Sequence, residues 1–375
     1  MINLKFIGIV SFISFIISYA FTPFIIRIAT KHNLITYPGG RRVHEKPTPY
    51  MGGLVIYAAF TLSLLFAVLA DKQLSENFLN SAFTLFIAGT ITVILGVIDD
   101  IRDIKSLLKL SGQIAIAGFL YWQGFRIDVL TNPFSGSEME IPRIISVAIT
   151  SFWIVGMMNA INLIDGLDGL AAGITTIVCA CLLFSAIFLE NYVTAFILVA
   201  LGASTLGFLP YNFYPAKIFL GDAGSMLIGV ILAVAALVGS QYKSTTAATL
   251  LVPITALAIP ISDTFFAVVR RFFNKRPIFR ADKKHLHHRL LGMGLPQRQI
   301  VLTIYMITLY LGIFAFLFVL IPNKYALILL VLLALGFFMA IRMFGFIERK
   351  ITLIYRLQER QRKRKSYGKD EDFDN

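Results

Sequence analysis

Apolar stretches of roughly twenty residues recur along almost the whole chain, and this feature limits its fold more than any other. A helix of that length crosses the hydrocarbon core of a bilayer. Hydrophobic residues make up 57% of the 375 residues, and the mean hydropathy is +0.76. That composition is far too apolar for an ordinary soluble domain. The chain is therefore expected to lie in a membrane.

We predict an all-α polytopic membrane protein with about eleven transmembrane helices. The first apolar run contains a motif like a signal-peptide cleavage site, but it continues past that motif and favours an uncleaved helix bent near Pro23. The predicted spans are 3–29, 52–70, 79–98, 107–125, 143–161, 169–189, 192–209, 223–240, 248–270, 299–321 and 325–347. They form one integral membrane catalytic domain, 1–347, followed by a polar tail, 348–375.

The distribution of basic residues predicts the orientation. If the first hairpin loop is cytoplasmic, only six of the 34 Lys and Arg residues lie outside. Because cytoplasmic loops carry the excess of Lys and Arg, the N-terminus is predicted outside and the C-terminus in the cytoplasm, in an inner or plasma membrane. The outer loop 126–142 is predicted to form turns or a small hairpin.

The net charge of +13 does not indicate a nucleic-acid-binding protein. The basic residues lie between apolar segments and in the tail, where membrane topology explains them better. The tail is predicted to anchor this topology and to contact membrane lipid headgroups. We expect no nucleic-acid partner.

Three acidic clusters fall at predicted helix ends on one side of the membrane: Asp99–Asp100, residues 159–170 and residues 219–225. Charge at membrane depth is costly, so carboxylates held there usually have a function. Carboxylates beside basic side chains suit a divalent metal and a phosphorylated substrate. The pattern predicts an enzyme of phosphoryl transfer with a cytoplasmic active site.

Asp99 and Asp100 end the third predicted span. Adjacent side chains diverge by about 100° on a helix, so one carboxylate can meet a metal or substrate while the other contacts a neighbouring basic group. A helix end that meets water also commonly carries acids. However, carboxylates at a helix C-terminus oppose the macrodipole, which favours a functional role.

Asn162, Asp165 and Asp168 recur at a spacing of three residues. Such neighbours share a face on a continuous helix. Gly166 and Gly169 favour a local break and would let the backbone approach a ligand closely. This is the most specific motif of the chain.

Asp222 precedes an apolar helix within Gly221–Ser225. It can be a simple N-cap, or it can hold a metal that bridges to phosphate at a helix N-terminus. Asn212 and Phe219, just before it, could supply amide hydrogen bonds and a stacking face to a planar base.

Two basic loops could bind anions. The first contains His285, His287, His288 and Arg289, whose basic neighbours favour pyrophosphate over zinc. The second contains Lys46 and leads into the segment Pro47–Gly53. Positive-inside bias alone also explains this second loop.

Together, these segments resemble the polyprenyl-phosphate N-acetylhexosamine-1-phosphate transferases, which include the phospho-MurNAc-pentapeptide translocase and the enzymes that initiate teichoic acid and O-antigen. The similarity runs from Pro47–Gly53 to His285–His288. The His-x-His-His motif, eleven spans and basic tail are similar to the branch that initiates polymers with GlcNAc-1-phosphate.

The resemblance implies transfer of a sugar-1-phosphate from a UDP-sugar to undecaprenyl phosphate, with release of UMP and with Mg²⁺ or Mn²⁺ as cofactor. It implies that Asp222 is the principal metal ligand, with Asp99 beside it. The implied catalytic residues are Asp99, Asp100, Asn162, Asp165, Asp168, His285, His287 and His288. The implied substrate-binding residues are Lys46, Thr48, Gly166, Leu167, Asn212, Phe219 and Arg289.

Several alternatives stay open at the level of sequence. The reaction can be a single displacement or can pass through a phospho-aspartate. The sugar can be another N-acetylhexosamine, including MurNAc-pentapeptide. A cation-coupled transporter would need polar residues near the mid-bilayer, for which Asp263 is the candidate. Helices rich in small residues are also compatible with a homodimer.

Overall fold

The computed structural model describes residues 4–37, 47–70, 76–131, 138–241, 248–274, 286–321, 325, 328–336 and 339. The elements in chain order are α1 Leu4–Lys31, β1 Ile35–Thr36, β2 Thr48–Pro49, α2 Gly52–Ala70, α3 Glu76–Arg102, α4 Ser106–Trp122, β3 Val129–Thr131, β4 Glu138–Glu140, α5 Arg143–Ile164, α6 Leu170–Phe188, α7 Tyr192–Asn212, α8 Gly221–Gln241, α9 Ala248–Ala256, α10 Ala258–Phe273, α11 Leu286–Gly292 and α12 Gln297–Leu320. The predicted tail, 348–375, lies outside the described residues.

Eight helices in the described part of the chain are long and apolar enough to cross a membrane: α1, α2, α3, α5, α6, α7, α8 and α12. The prediction of an all-α polytopic membrane protein is therefore confirmed. Helix α4, with 17 residues, coincides with a further predicted span and is slightly shorter than these eight. The total of eleven spans and their orientation stay predictions, because most of the predicted span 325–347 lies outside the described residues.

The prediction of one continuous helix over 248–270 was wrong. Two helices, α9 and α10, occupy this region and are separated at Leu257. Pro260, in the first turn of α10, has no N–H to donate to the carbonyl four residues earlier, so the hydrogen-bond pattern is interrupted where α9 ends.

The outer-loop prediction of a small hairpin is confirmed. Strands β3 and β4 pair antiparallel, with Val129 opposite Glu140 and Thr131 opposite Glu138. A second antiparallel pair joins β1 to β2, with Ile35 opposite Pro49. This second pair connects the end of α1 to the start of α2.

Helix α8 is the most buried of the eight candidate spans and packs against α2, α3, α5 and α7. Glycines let two of these helices approach its N-terminus. A Cβ added to Gly53 of α2 would overlap the backbone of Gly224, and one added to Gly96 of α3 would overlap the backbone of Ala223. The starts of α2 and α8 and the end of α3 are therefore held together by direct backbone contact.

We expect Gly96→Ala to destabilise the protein and reduce its activity. The added methyl group would push α3 from α8, and overpacking of this kind costs about 1–3 kcal/mol. The matched control is Gly118→Ala on α4, where a Cβ meets no atom within 4 Å. Thermal unfolding in detergent should show a lower midpoint for Gly96→Ala alone. Equal midpoints for the two variants would contradict this packing.

Candidate active site

The ends of four helices meet at one end of the bundle. Asp99 and Asp100 lie in the last turn of α3, Lys109 in the first turns of α4, Asn162 in the last turn of α5, and Asp222 in the first turn of α8. Direct hydrogen bonds and ion pairs join these five side chains or their backbones. We call these five residues the acidic cluster. The structure thus brings together one member or more of each acidic segment that the sequence singled out.

Lys109 contacts residues of three other helices. Its Nζ lies 2.7 Å from Asp99 Oδ2 and 3.3 Å from Asp222 Oδ1. It also donates to Asn162 Oδ1 at 3.4 Å. The Asp222 side chain is 32% exposed, compared with 6% for Asp99, so Asp222 is the carboxylate of this pair that a ligand reaches more easily.

Asn162 fixes the position of the Asp222 side chain. Its Nδ2 donates to Asp222 Oδ1 and, at 2.8 Å, to Ser225 Oγ. The Ser225 hydroxyl donates in turn to the carbonyl of Asp222 at 3.3 Å. Asp222 is therefore oriented by an amide from α5 and by the first turn of its own helix.

Asp100 binds the N-terminus of α8. Its Oδ1 accepts the backbone N–H of Asp222 at 2.8 Å, and its Oδ2 accepts that of Ala223 at 3.2 Å. A carboxylate here satisfies free N–H groups of the helix and interacts favourably with its dipole. The predicted divergence of Asp99 and Asp100 is confirmed, and Asp222 itself is not the cap of α8.

The loop after α5 carries the other two aspartates. Helix α5 ends at Ile164, so the predicted break at this motif is confirmed. Asp165 has no hydrogen-bond or ion-pair partner among the described residues. Its burial, followed by the charges of Asp222, Asp100 and Asp168, raises the pKa of Asp165 well above the usual value. Within the described part of the chain, Asp165 is thus an unpaired carboxyl group beside the acidic cluster.

The remaining residues of this loop have structural contacts. Asp168 Oδ2 accepts the backbone N–H of Ala216 at 2.9 Å, which ties the loop to the segment after α7. Leu167 is buried in the core and Gly166 is exposed. A substrate could therefore contact Gly166 directly and would find the Leu167 side chain enclosed.

Asn212 and Phe219 lie at the two ends of the segment that joins α7 to α8. Asn212 is buried and donates from Nδ2 to the carbonyl of Ile218 at 2.9 Å, while its Oδ1 has no partner among the described residues. The backbone of Phe219 donates to the carbonyl of Pro49 at 2.8 Å and accepts from Gly52 at 3.0 Å. These bonds join the segment Pro47–Gly53, including the buried Thr48 of β2, to the loop before α8.

The basic loops are only partly described. Lys46 and His285 lie outside the described residues, as do the side chains of His287 and His288, whose backbone forms part of α11. Arg289 is exposed on the same helix. The predicted anion clamp therefore stays a prediction.

Among the described residues, the acidic cluster offers two converging carboxylates and does not form a closed metal cage. Within the described residues there is no group of three or more His, Cys, Asp or Glu side chains that could hold a metal ion. Mg²⁺ usually takes only one or two carboxylates and completes its shell with water and substrate phosphates. Asp222 and Asp99, which converge on Lys109, could supply these two carboxylates.

Sequence reasoning missed Lys109 and Ser225. Lys109 stands near the start of a predicted span, 107–125, among largely apolar residues. An ionisable side chain within a span is expected to have a partner and a function, so this signal was present. Ser225 gives no such signal, because a serine in the first turn of a helix is common.

The sequence profile of glycosyl transferase family 4 matches residues 82–240, a segment that contains the whole acidic cluster. The chain is 39% identical to a protein of Bacillus subtilis named probable undecaprenyl-phosphate N-acetylglucosaminyl 1-phosphate transferase, with 76% of this chain and 77% of the relative covered.

Two other relatives align over a similar length. A decaprenyl-phosphate N-acetylglucosaminephosphotransferase of Mycobacterium leprae is 37% identical, with 84% of this chain and 83% of the relative covered. A phospho-N-acetylmuramoyl-pentapeptide-transferase of Listeria monocytogenes is 32% identical, with 76% of this chain and 87% of the relative covered.

Proposed function

Because the chain belongs to glycosyl transferase family 4, we propose that it transfers GlcNAc-1-phosphate from UDP-GlcNAc to undecaprenyl phosphate and releases UMP. The acidic cluster carries this proposal, since it joins four helix ends around Asp222 inside the matched segment. The reaction would be the first membrane step of a cell-envelope polysaccharide.

The choice of GlcNAc rests on the relatives. The Bacillus subtilis and Mycobacterium leprae proteins, named for N-acetylglucosamine, are 39% and 37% identical, whereas the pentapeptide transferase is 32% identical. Identity alone does not define a sugar pocket, so the pentapeptide substrate is the competitor that an experiment must include.

The mechanism that suits these contacts is a single in-line displacement. An oxygen of the acceptor phosphate attacks the β-phosphorus of the UDP-sugar, the bond to the bridging oxygen breaks, and UMP leaves with that oxygen. The second pKa of a phosphate monoester is about 6, so the acceptor is largely ionised at neutral pH and needs little general-base help. The main difficulty is that an anion must approach another anion.

The chain's own groups are arranged to reduce this repulsion and to position the reactants. Asp99 is paired with Lys109, and both oxygens of Asp100 accept backbone N–H groups. Neither carboxylate is therefore free to attack phosphorus, which favours single displacement over a phospho-aspartate. Asp165 has no hydrogen-bond or ion-pair partner among the described residues and could hold a proton or orient the acceptor.

We propose Mg²⁺ as cofactor, with Mn²⁺ as a substitute. Asp222 and Asp99 would hold the ion, and it would neutralise charge on the diphosphate when bound. We also propose that the acidic cluster faces the cytoplasm, since the basic loops expected there follow the positive-inside rule and UDP-sugars are present on that side.

The decisive experiment is the reaction itself. Purified protein in detergent should convert labelled UDP-GlcNAc and undecaprenyl phosphate into labelled lipid and an equal amount of UMP. EDTA should stop the reaction and Mg²⁺ should restore it. UDP-GalNAc and UDP-MurNAc-pentapeptide should react at least about tenfold more slowly. Folded protein that forms no lipid product from any of these sugars would refute the proposal.

A further inference from the structure

Lys109 occupies the place where a cation shared by Asp99 and Asp222 would lie. One atom, Nζ, is 2.7 Å from a carboxylate oxygen of Asp99 and 3.3 Å from one of Asp222. The Lys109 side chain is only 15% exposed, so it is held inside the bundle and is not a surface lysine that happens to reach the cluster.

The ammonium has a clear electrostatic role in the metal-free protein. Two carboxylates that share a site disfavour each other's charged form unless a positive group lies between them. Lys109 is such a group, and its bond to Asn162 Oδ1 at 3.4 Å adds a contact with a third helix. Removal of one partner from a buried ion pair is strongly destabilising, because the other charge is left unpaired.

A divalent cation and this ammonium compete for the same oxygens. Mg²⁺ binds carboxylate oxygens at about 2.0–2.1 Å. An ammonium held within hydrogen-bonding distance of those oxygens would lie close to the ion and would repel it. The observed Lys109 contacts and a metal bound by both Asp99 and Asp222 therefore exclude one another.

We propose that Lys109 is an internal counter-ion that holds Asp99 and Asp222 together in the metal-free protein and must leave Asp222 when a divalent cation binds. This inference rests on the proposed function only for the identity of the cation. Lys109 is then a positioning residue, which sets the affinity of the site for metal by competing with it.

The test measures metal binding without substrates. Mn²⁺ binding to the purified full chain is followed by electron paramagnetic resonance for the wild type, for Lys109→Met and for the control Lys105→Met. Met keeps most of the length of the side chain and removes its charge. Lys105 is exposed one turn earlier and forms no ion pair among the described residues.

We expect Lys109→Met to bind Mn²⁺ at least about tenfold more tightly than the wild type, because no ammonium has to be displaced. In EDTA the same variant should unfold at a lower temperature than the wild type. Mn²⁺ should raise the unfolding midpoint of the variant by more than it raises that of the wild type. Lys105→Met should match the wild type in both measurements. Equal or weaker Mn²⁺ binding by Lys109→Met would overturn the proposal.

A measurement on the wild type covers the case in which Lys109→Met does not fold. Lysine acylation, quantified by mass spectrometry, should increase at Lys109 when Mn²⁺ is added and stay constant at Lys105. Acylation of Lys109 that is unchanged or lower with Mn²⁺ would contradict the proposed displacement of Lys109 from Asp222 by the cation.

These outcomes are distinct from failure of the proposed function. If the wild type forms labelled lipid while Lys109→Met shows unchanged Mn²⁺ affinity, the displacement of Lys109 is refuted and the proposed transferase activity stands. Absence of Mn²⁺ binding to wild type and variant alike would overturn both the proposed displacement of Lys109 and the proposed cofactor.

Discussion

Asp222→Asn should reduce the rate of sugar-phosphate transfer on the order of 10³-fold, the scale seen when a preorganised electrostatic contact at a reacting group is removed. The change removes the negative charge of the more exposed carboxylate of the Asp99–Asp222 pair. It keeps an oxygen that can still accept from Asn162 Nδ2. We therefore expect a folded protein that has lost most of its metal binding and nearly all of its activity.

The measurement combines initial rates at saturating substrates with Mn²⁺ binding and thermal unfolding. The matched control is Asp128→Asn, the same chemical change beside the β3–β4 hairpin. Asp128 pairs there with Arg126 at 2.5 Å and accepts from Ser146 at 2.8 Å. The control should change the rate less than about twofold, as is usual for an exposed ion pair. A rate for Asp222→Asn within tenfold of the wild type would remove Asp222 from the proposed mechanism.

Length and composition were enough to predict most of the helices, because a membrane span has to be long, apolar and helical. Helices α6 and α7 were predicted with only Glu190 and Asn191 between them, and the structure has this short connection. The helix break at Asp165 also followed from local chemistry, since glycines follow the aspartates of that motif. The sequence therefore predicted those features that depend on residues close to one another along the chain.

Contacts between distant segments could not be derived in this way. Asp100 binds a backbone 122 positions away, and Lys109 meets Asp222 across two helix ends. The Asp100 contact depends on how closely α3 and α8 pack, and that distance depends on the glycine at 96. The sequence could indicate that each carboxylate has a function, but the division of roles between Asp99 and Asp100 required the packed structure.

Asp100→Asn tests this division of roles. The family resemblance implies that Asp100 is catalytic, whereas its contacts are those of a positioning residue that acts through Asp222. An Asn side chain has one acceptor oxygen, so its amide group would face either the N–H of Asp222 or that of Ala223. Loss of a hydrogen bond to a charged group costs about 1.5–3 kcal/mol. We expect a lower unfolding temperature for this variant.

The activity of Asp100→Asn should fall about 100-fold, because a small displacement of a catalytic group can have that effect. A positioning role predicts weaker Mn²⁺ binding and a pH–rate profile of unchanged shape, since Asp100 itself would exchange no proton with the reactants. A catalytic role predicts lost activity with normal Mn²⁺ affinity and normal thermal stability. Asp103→Asn, an exposed change three residues later with a backbone φ of 47° that Asn tolerates, should match the wild type in all four measurements.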